Sequence, residues 1–231
     1  MTLARDERIE VELPGGAALV SALLTVPDNP WSAVALAHGA GAGPEHPFLA
    51  GAAAALARHG VAVMRFAFPY REAGRRMPGP ATHATATWVA AMAALAGWYP
   101  TLAIAAAGKS YGGRMASLAA ASGLIDPAAL MYLGYPLHPP GEPAKERADH
   151  LPGISRPQLF LSGTRDPFVQ PPDALERVVA GCPDATLTWV PGGDHSFEVA
   201  GHRRAGEVIG GEIGETVAQW WRGRAPQRPA A

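Results

Sequence analysis

The feature that most constrains the fold is an alternation of two hydrophobic periodicities along the chain. Short apolar runs rich in strand-forming residues alternate, from the third run onward, with segments whose apolar residues recur at helical spacing. The runs cover residues 9–13, 18–26, 32–38, 61–68, 101–108, 129–135, 157–163 and 186–192. The helical segments cover residues 47–59, 82–97, 112–122, 172–181 and 203–222. Strands that alternate with helices predict a parallel, doubly wound sheet.

The first two runs are connected differently from the rest. Pro14, Gly15 and Gly16 lie between them and form a hairpin signal, so the sheet is expected to open antiparallel and then become parallel. We therefore predict an α/β fold with a mostly parallel eight-stranded sheet and helices on both faces. A single domain is expected over residues 1–222, because this length and 48% hydrophobic content suit one core. Residues 223–231 have nothing apolar to bury and are predicted to form a flexible tail.

Charge and cysteine content narrow the classes of partner. The chain has 19 basic and 20 acidic residues, so no excess of positive charge favours nucleic acid or an anionic membrane, and a small molecule is the expected partner. Cys182 is the only cysteine, which excludes an internal disulfide. We expect it to be an inert structural residue. The N-terminus lacks the apolar core of a signal peptide, and no run approaches the ~18 apolar residues of a membrane span, so a cytoplasmic protein is expected.

The segment AIAAAGKSYGGR, residues 103–114, permits two interpretations. It contains GKS, the end of a phosphate-binding loop, but Ala103 stands where such a loop needs its first glycine. It also contains Gly108-Lys-Ser110-Tyr-Gly112 between an apolar strand and a helix. That context is typical of a nucleophile elbow, in which a strained turn exposes a serine and small residues on either side avoid clashes. The sequence therefore favours Ser110 as a nucleophile.

A serine hydroxyl needs a base to accept its proton and a carboxylate to orient that base. In the elbow fold these follow the serine in the order acid, then histidine. Asp166 follows the run 157–163, and His195 follows the run 186–192. Because parallel strands end at the same edge of a sheet, we expect both side chains to lie near Ser110. Asp194 is a rival for the acid, but we prefer Asp166 because a separate loop usually supplies it.

The tetrahedral intermediate of acyl transfer also needs two N–H donors. The backbone of Tyr111, directly after the serine, is one candidate. The other is the N–H of Ala40, because the run from His38 to Gly41 has the form of an HG-x-G oxyanion loop. A dinucleotide-binding fingerprint is the alternative for this loop, but Pro44 stands at its third glycine position. We therefore predict no organic cofactor at this loop. We also predict no metal, because a single cysteine cannot form a metal-binding cysteine cluster and the serine mechanism requires none.

Together the motifs GKSYGGR, GTRDPF, GGDHSF and AHGAGAGPEHPF resemble the α/β-hydrolase superfamily, on its dienelactone-hydrolase-like side. They look most like small uncharacterised bacterial α/β hydrolases. That branch is related to an animal testis-expressed protein and to the hydrolase-like part of a chromatin-regulatory subunit. The resemblance spans residues 8–222 and implies the fold and a triad of Ser110, Asp166 and His195, but no substrate. One departure is clear, since dienelactone hydrolases use a cysteine where this chain has Ser110.

Two further loops follow strands and are candidates for substrate specificity. One carries Arg71 and Arg75, which could bind an acidic group, and the other carries His138 in a proline-rich turn. The alternative is that these are solvated loops. Neither loop is long enough to form a large lid domain, which favours an open site and small acyl substrates.

The sequence as a whole predicts a serine esterase that cleaves a small ester or related acyl bond through an acyl-enzyme. The alternative from another class is a catalytically silent protein of the same fold that binds a ligand or a protein partner. Peptidase activity ranks below both, because the loops are too short to form a deep peptide-binding surface.

Overall fold

One eight-stranded sheet forms the centre of the computed structural model, which describes residues 2–225. The strands are β1 Thr2–Val11, β2 Ala18–Pro27, β3 Ser32–Ala37, β4 Val61–Phe66, β5 Ala103–Lys109, β6 Leu130–Leu133, β7 Gln158–Gly163 and β8 Ala185–Val190. Their spatial order is β1-β2-β4-β3-β5-β6-β7-β8. Strand β2 pairs antiparallel with β1 and β4, and the five remaining pairings are parallel. The predicted opening hairpin and the mostly parallel sheet are confirmed.

Helices cover both faces of this sheet. They are α1 Pro47–Arg58, α2 Pro69–Glu72, α3 Ala81–Trp98, α4 Tyr111–Ala121, α5 Pro172–Ala180 and α6 Gly206–Arg224, with a short 3-10 turn at Leu151–Gly153. Helices α1 and α6 pack into one hydrophobic cluster, and α3, α4 and α5 pack into a second on the opposite face. Within residues 2–225, no helix is both long and apolar enough to cross a membrane.

The central strands are apolar at nearly every position because both of their faces are covered. In β3, Val34 and Leu36 point into the cluster of α1 and α6, whereas Ala33 and Ala35 point into the opposite cluster. All four side chains are at most 1% exposed. Small alanines on one side leave room for large side chains such as Trp88 of α3, which is fully buried.

The structure differs from the predicted elements mainly at the ends of the chain. Strand β1 begins at Thr2 rather than at residue 9, and all of it pairs with β2. As an edge strand it tolerates charged side chains such as exposed Arg5 and Arg8, which lie before the apolar run from which this strand was predicted. Helix α6 continues to Arg224, two residues past its predicted end. Ala225 follows directly after the helix, and residues 226–231 of the predicted tail lie outside the described residues.

Helices α1 and α6 approach each other backbone to backbone. A Cβ atom placed on Gly210 of α6 would lie 1.9 Å from the carbonyl oxygen of Phe48, and one placed on Gly51 of α1 would lie 2.0 Å from that of Glu207. Both distances are far below van der Waals contact, so only glycine fits at either position. This contact fixes the beginning of α6 against the beginning of α1, where the candidate site lies.

The glycine contact generates a stability prediction with a matched control in the same helix. Gly210→Ala should lower the free energy of unfolding by about 1–3 kcal/mol, because backbone atoms cannot move aside for the new methyl group. Gly211→Ala meets no atom within 4 Å and should instead raise it by about 0.5–1 kcal/mol, the difference in helix propensity. Urea unfolding of both variants measures the two effects, and equal stabilities would contradict the close approach.

Candidate active site

Ser110 stands in a strained turn between β5 and α4. Its φ is 48° and its ψ is −111°, a conformation that a non-glycine residue adopts only at a cost of about 1–3 kcal/mol. The flanking glycines leave no room for side chains. A Cβ on Gly108 would lie 2.3 Å from the nitrogen of Gly113, and a Cβ on Gly112 would lie 2.6 Å from the carbonyl oxygen of His38. The two small residues of the motif are therefore required by the packing of this turn.

Side chains from three strand ends form one hydrogen-bonded chain. The Ser110 hydroxyl lies 2.8 Å from Nε2 of His195, and Nδ1 of the same imidazole lies 2.7 Å from Oδ2 of Asp166. Asp166 is fully buried, and its second oxygen accepts a hydrogen bond from the backbone N–H of Phe168 at 2.8 Å. A carboxylate can only accept, so Nδ1 carries the proton and Nε2 is free to accept one from the serine.

Asp194, the rival acid, makes different contacts. Its Oδ1 accepts hydrogen bonds from the backbone N–H groups of Ser196 at 2.7 Å and Glu198 at 3.0 Å. This side chain therefore caps the turn that carries His195, as aspartate commonly does in loops. The carboxylate that contacts the imidazole is that of Asp166.

The environment of His195 favours its neutral form. Burial lowers the pKa of His195, and this effect exceeds the opposing effect of the hydrogen bond that Nδ1 donates to Asp166. The ring of Phe168 packs against the imidazole, with ring centroids 4.2 Å apart. A neutral imidazole at physiological pH can accept a proton, which is what a general base must do.

The loop after β3 lies beside the serine. Ala40 and Ser110 line the same cavity, and Tyr111 directly follows the serine at the beginning of α4. Among residues 2–225, neither the N–H of Ala40 nor that of Tyr111 donates a hydrogen bond. Both donors therefore stay available for a ligand oxygen.

The buried side chain of His38 forms hydrogen bonds that hold this loop in place. It is fully buried, its Nδ1 donates to the carbonyl oxygen of Gly39 at 2.8 Å, and its Nε2 accepts from the N–H of Phe68 at 3.2 Å. Burial lowers the pKa of His38 to about 4, so the ring is neutral at pH 7 and both hydrogen bonds have a fixed direction. The imidazole thus joins the loop after β3 to the loop after β4.

A cavity of about 400 Å³ opens beside Ser110 and His195. Its apolar walls come from the loop after β3, the first turns of α1 and α6, and the loop after β7. These residues are Ala40, Ala42, Phe48, Leu49, Phe168 and Ile209. Four polar side chains also reach it, those of His46, Lys109, Ser196 and Glu198.

The three predicted substrate-binding residues do not line this cavity. Arg71 donates a hydrogen bond to the carbonyl oxygen of Arg75, so their loop folds back on itself. His138 is 1% exposed and contacts the carbonyl oxygen of its neighbour Pro139 through Nδ1. A group bound in the cavity would therefore meet none of the three side chains.

The residues that form the cavity walls were not predicted from the sequence. Phe168 could have been found, because it stands two residues after Asp166 in the same strand-end loop. Phe48 and Ile209 carry no such signal, since they read as ordinary core positions of two helices far apart in sequence. Within the described part of the chain, no three His, Cys, Asp or Glu side chains are grouped so that they could hold a metal ion.

Comparison with known proteins places the fold and the family. The sequence model of the alpha/beta hydrolase domain family matches residues 30–219, and the chain belongs to this family. A dienelactone hydrolase from Anabaena variabilis superposes with a TM-score of 0.72 at 20% identity, covering 96% of this chain and 99% of that one. The esterase domain of a Rhodothermus marinus protein gives 0.70 at 18% identity, with coverages of 96% and 99%.

A third similar structure has the same fold. It is a Xanthomonas campestris protein described as an α/β serine hydrolase without a lid, with a TM-score of 0.70, 19% identity and 97% of each chain covered. At these identities the three structures show the α/β-hydrolase fold alone. The predicted relation to an animal testis-expressed protein and to a chromatin-regulatory subunit stays a prediction.

The buried imidazole of His38 generates a prediction about acid stability. Because its folded pKa of about 4 lies below its ordinary value of 6.5, the unfolded chain binds a proton between these values that the folded protein does not bind. This group should therefore lower the free energy of unfolding as pH falls from 6.5 to about 4, by up to about 3 kcal/mol.

Urea unfolding at stepwise pH measures this effect in the wild type and in His38→Gln. Glutamine keeps an acceptor near Phe68 but binds no proton, so the slope of stability against pH should flatten between pH 6.5 and 4. The control is His202→Gln, which removes an exposed imidazole and should keep the wild-type slope. An unchanged slope in His38→Gln would show that His38 is not a buried neutral group.

Proposed function

We propose that this chain is a serine hydrolase that cleaves a small ester or related acyl bond. One observation carries the proposal. A continuous hydrogen-bonded chain runs from Asp166 through His195 to Ser110, and it ends at a cavity that can hold a substrate. The hydrolase family and similar structures described as an esterase domain and a dienelactone hydrolase support the same class of reaction.

The proposed reaction begins with proton transfer from Ser110 to His195. The serine oxygen attacks the substrate carbonyl as its proton moves to Nε2, and Asp166 stabilises the imidazolium that forms. The N–H groups of Tyr111 and Ala40 donate to the oxygen that becomes negatively charged. The imidazolium then gives its proton to the leaving alcohol, and an acyl-enzyme remains on the serine.

Water completes the cycle by the same steps in reverse. His195 accepts a proton from the water as its oxygen attacks the acyl-enzyme, and it returns that proton to the oxygen of Ser110 when the acid product leaves. The sum of the two halves is hydrolysis of an ester to an acid and an alcohol. None of these steps requires an organic cofactor.

The cavity indicates the size of the acyl group. Its volume of about 400 Å³ lies near the lower end of the range for small-molecule sites, roughly 300–1,000 Å³. Most of its walls are apolar, and the aromatic rings of Phe48 and Phe168 supply part of them. We therefore propose a compact apolar acyl group in this cavity, with the alcohol part leaving toward the solvent.

The cellular compartment stays a prediction, and cytoplasm is the one we expect.

Covalent labelling tests whether Ser110 is a working nucleophile. A fluorophosphonate probe should add once to the wild type and not to Ser110→Ala, as measured by intact mass. Hydrolysis of p-nitrophenyl butyrate should fall by a factor on the order of 10⁴ or more in the same variant. Ser122→Ala is the matched control, because Ser122 is an exposed serine at the other end of α4.

The alternative of a silent binding protein predicts the opposite result. A folded wild type that takes no adduct under conditions that label a known esterase, and that hydrolyses no ester, would reject the proposed reaction. Normal hydrolysis by Ser110→Ala would reject the proposed nucleophile while leaving a hydrolase of another mechanism.

The two neighbouring acids provide a second test. In Asp166→Asn the amide no longer holds the proton on Nδ1 of His195, so kcat should fall on the order of 10⁴-fold. In Asp194→Asn the side-chain oxygen can still cap its turn, so kcat should stay near that of the wild type. Steady-state kinetics on the same ester compares the two variants. A larger loss of kcat in Asp194→Asn than in Asp166→Asn would indicate that Asp194 is the acid.

A further inference from the structure

Lys109, the residue immediately before Ser110, contacts the segment that carries His195. Its ammonium group donates a hydrogen bond to the backbone carbonyl oxygen of His195 at 2.6 Å. It also lies 5.4 Å from the centroid of the Phe197 ring, within the range of a cation–π contact. One side chain thus joins the end of β5 to the loop after β8.

The ammonium group lies close to the imidazole as well as to its backbone. A Cβ placed on Gly134 would be 3.0 Å from Nζ of Lys109 and 3.6 Å from Cε1 of His195. Nζ and the carbon edge of the imidazole therefore border the same small space at the end of β6. Gly134 has a φ of 73°, which a residue with a side chain would adopt only under strain.

A cation in this place is costly in free energy, because the surrounding protein removes it from most of the water although the half-buried side chain still reaches the cavity. Burial lowers the pKa of Lys109 to about 8, against the attraction of two nearby carboxylates. The group is therefore mostly charged at neutral pH and loses its charge at moderately alkaline pH. The chain has one other lysine, Lys145, which is exposed and pairs with Glu142.

We propose that Lys109 is a positioning residue for the histidine of the active site. Its hydrogen bond holds the His195 segment in place, and its positive charge beside the imidazole opposes protonation of the ring. His195 thereby stays a free base at lower pH than it otherwise would. This inference rests on the proposed role of His195 as the general base.

The sign of the effect follows from the charges around the two groups. The positive charge of Lys109 acts in the same direction as burial and lowers the pKa of His195, whereas carboxylates raise it. The other titratable groups that face His195 or Lys109, or that line the cavity beside them, are Asp166, Asp194, His46 and Glu198. Replacing Lys109 with a neutral side chain should therefore raise the pKa of His195.

Lys109→Met is the variant of choice, because methionine has nearly the length and shape of lysine without its charge. The pKa of His195 is read from the ring nitrogens of ¹⁵N-histidine-labelled protein, with the signal assigned by its loss in His195→Gln. We expect it to move upward in Lys109→Met, and we expect no movement in the matched control Lys145→Met. The apparent pKa of the acid limb of kcat/KM for p-nitrophenyl butyrate should rise in parallel. The activity of Lys109→Met relative to the wild type should therefore decrease as pH falls.

A chemical modification that restores the positive charge distinguishes an electrostatic effect of Lys109 from damage to the fold. Lys109→Cys is made in a Cys182→Ala background, so that its thiol is the only one in the chain. Treatment with bromoethylamine converts this cysteine into a lysine analogue that has sulfur in place of one methylene. The pKa of His195 and the acid limb should return toward their wild-type positions after this treatment.

Several results would overturn the proposal. An unchanged pKa of His195 in folded Lys109→Met would do so, as would a pH-independent loss of activity that aminoethylation does not repair. An effect confined to KM for an ester with a carboxylate in its acyl group would make Lys109 a substrate ligand instead. Because the NMR titration needs no turnover, it tests the proposed role of Lys109 independently of the proposed esterase activity.

Discussion

The geometry of the site depends on a contact between two stretches of backbone. The beginning of α4 touches the loop after β3 so closely that a side chain on Gly112 would lie 2.6 Å from the carbonyl oxygen of His38. Ser110 and Ala40 are therefore held relative to each other by main-chain atoms, which have far fewer alternative positions than side chains. A similar backbone-to-backbone contact occurs at Gly51 and Gly210, where α1 meets α6. The cavity wall formed by these helices is therefore fixed in the same way.

Burial then decides which groups are charged. His38 and His195 both lie in surroundings that disfavour the imidazolium, yet they serve different purposes. The fixed tautomer of His38 joins two loops, and in the proposed reaction His195 uses a free nitrogen to accept the serine proton. Burial therefore has opposite consequences in acid. A buried neutral imidazole lowers the free energy of unfolding as pH falls below the ordinary pKa of histidine, whereas His195 stays neutral in the folded protein until pH falls through its own lower pKa.

The sequence was informative where a residue's role depends on its own neighbours in the chain. Periodicity located the strands and the main helices, and the order of Ser110, Asp166 and His195 after successive strands located three side chains that the structure brings together. The sequence could not show that the cavity opens toward α1 and α6, because that depends on how two distant helices cross. For the same reason it pointed to Arg71 and His138, whose side chains do not line the cavity.

The His195 loop shows why such a site needs contacts from more than one side. The loop contains Phe197 in a left-handed conformation, with a φ of 63°, which costs free energy unless its surroundings hold it. On one side, β7 holds it through Asp166 and through the carbonyl oxygen of Gly193, which accepts a hydrogen bond from the N–H of Arg165 at 2.9 Å. On the other side, β5 holds it through Lys109. An imidazole held through both β7 and β5 can stay aligned with the serine while the cavity beside it remains open, so the proposed proton transfer does not depend on a lid closing over the site.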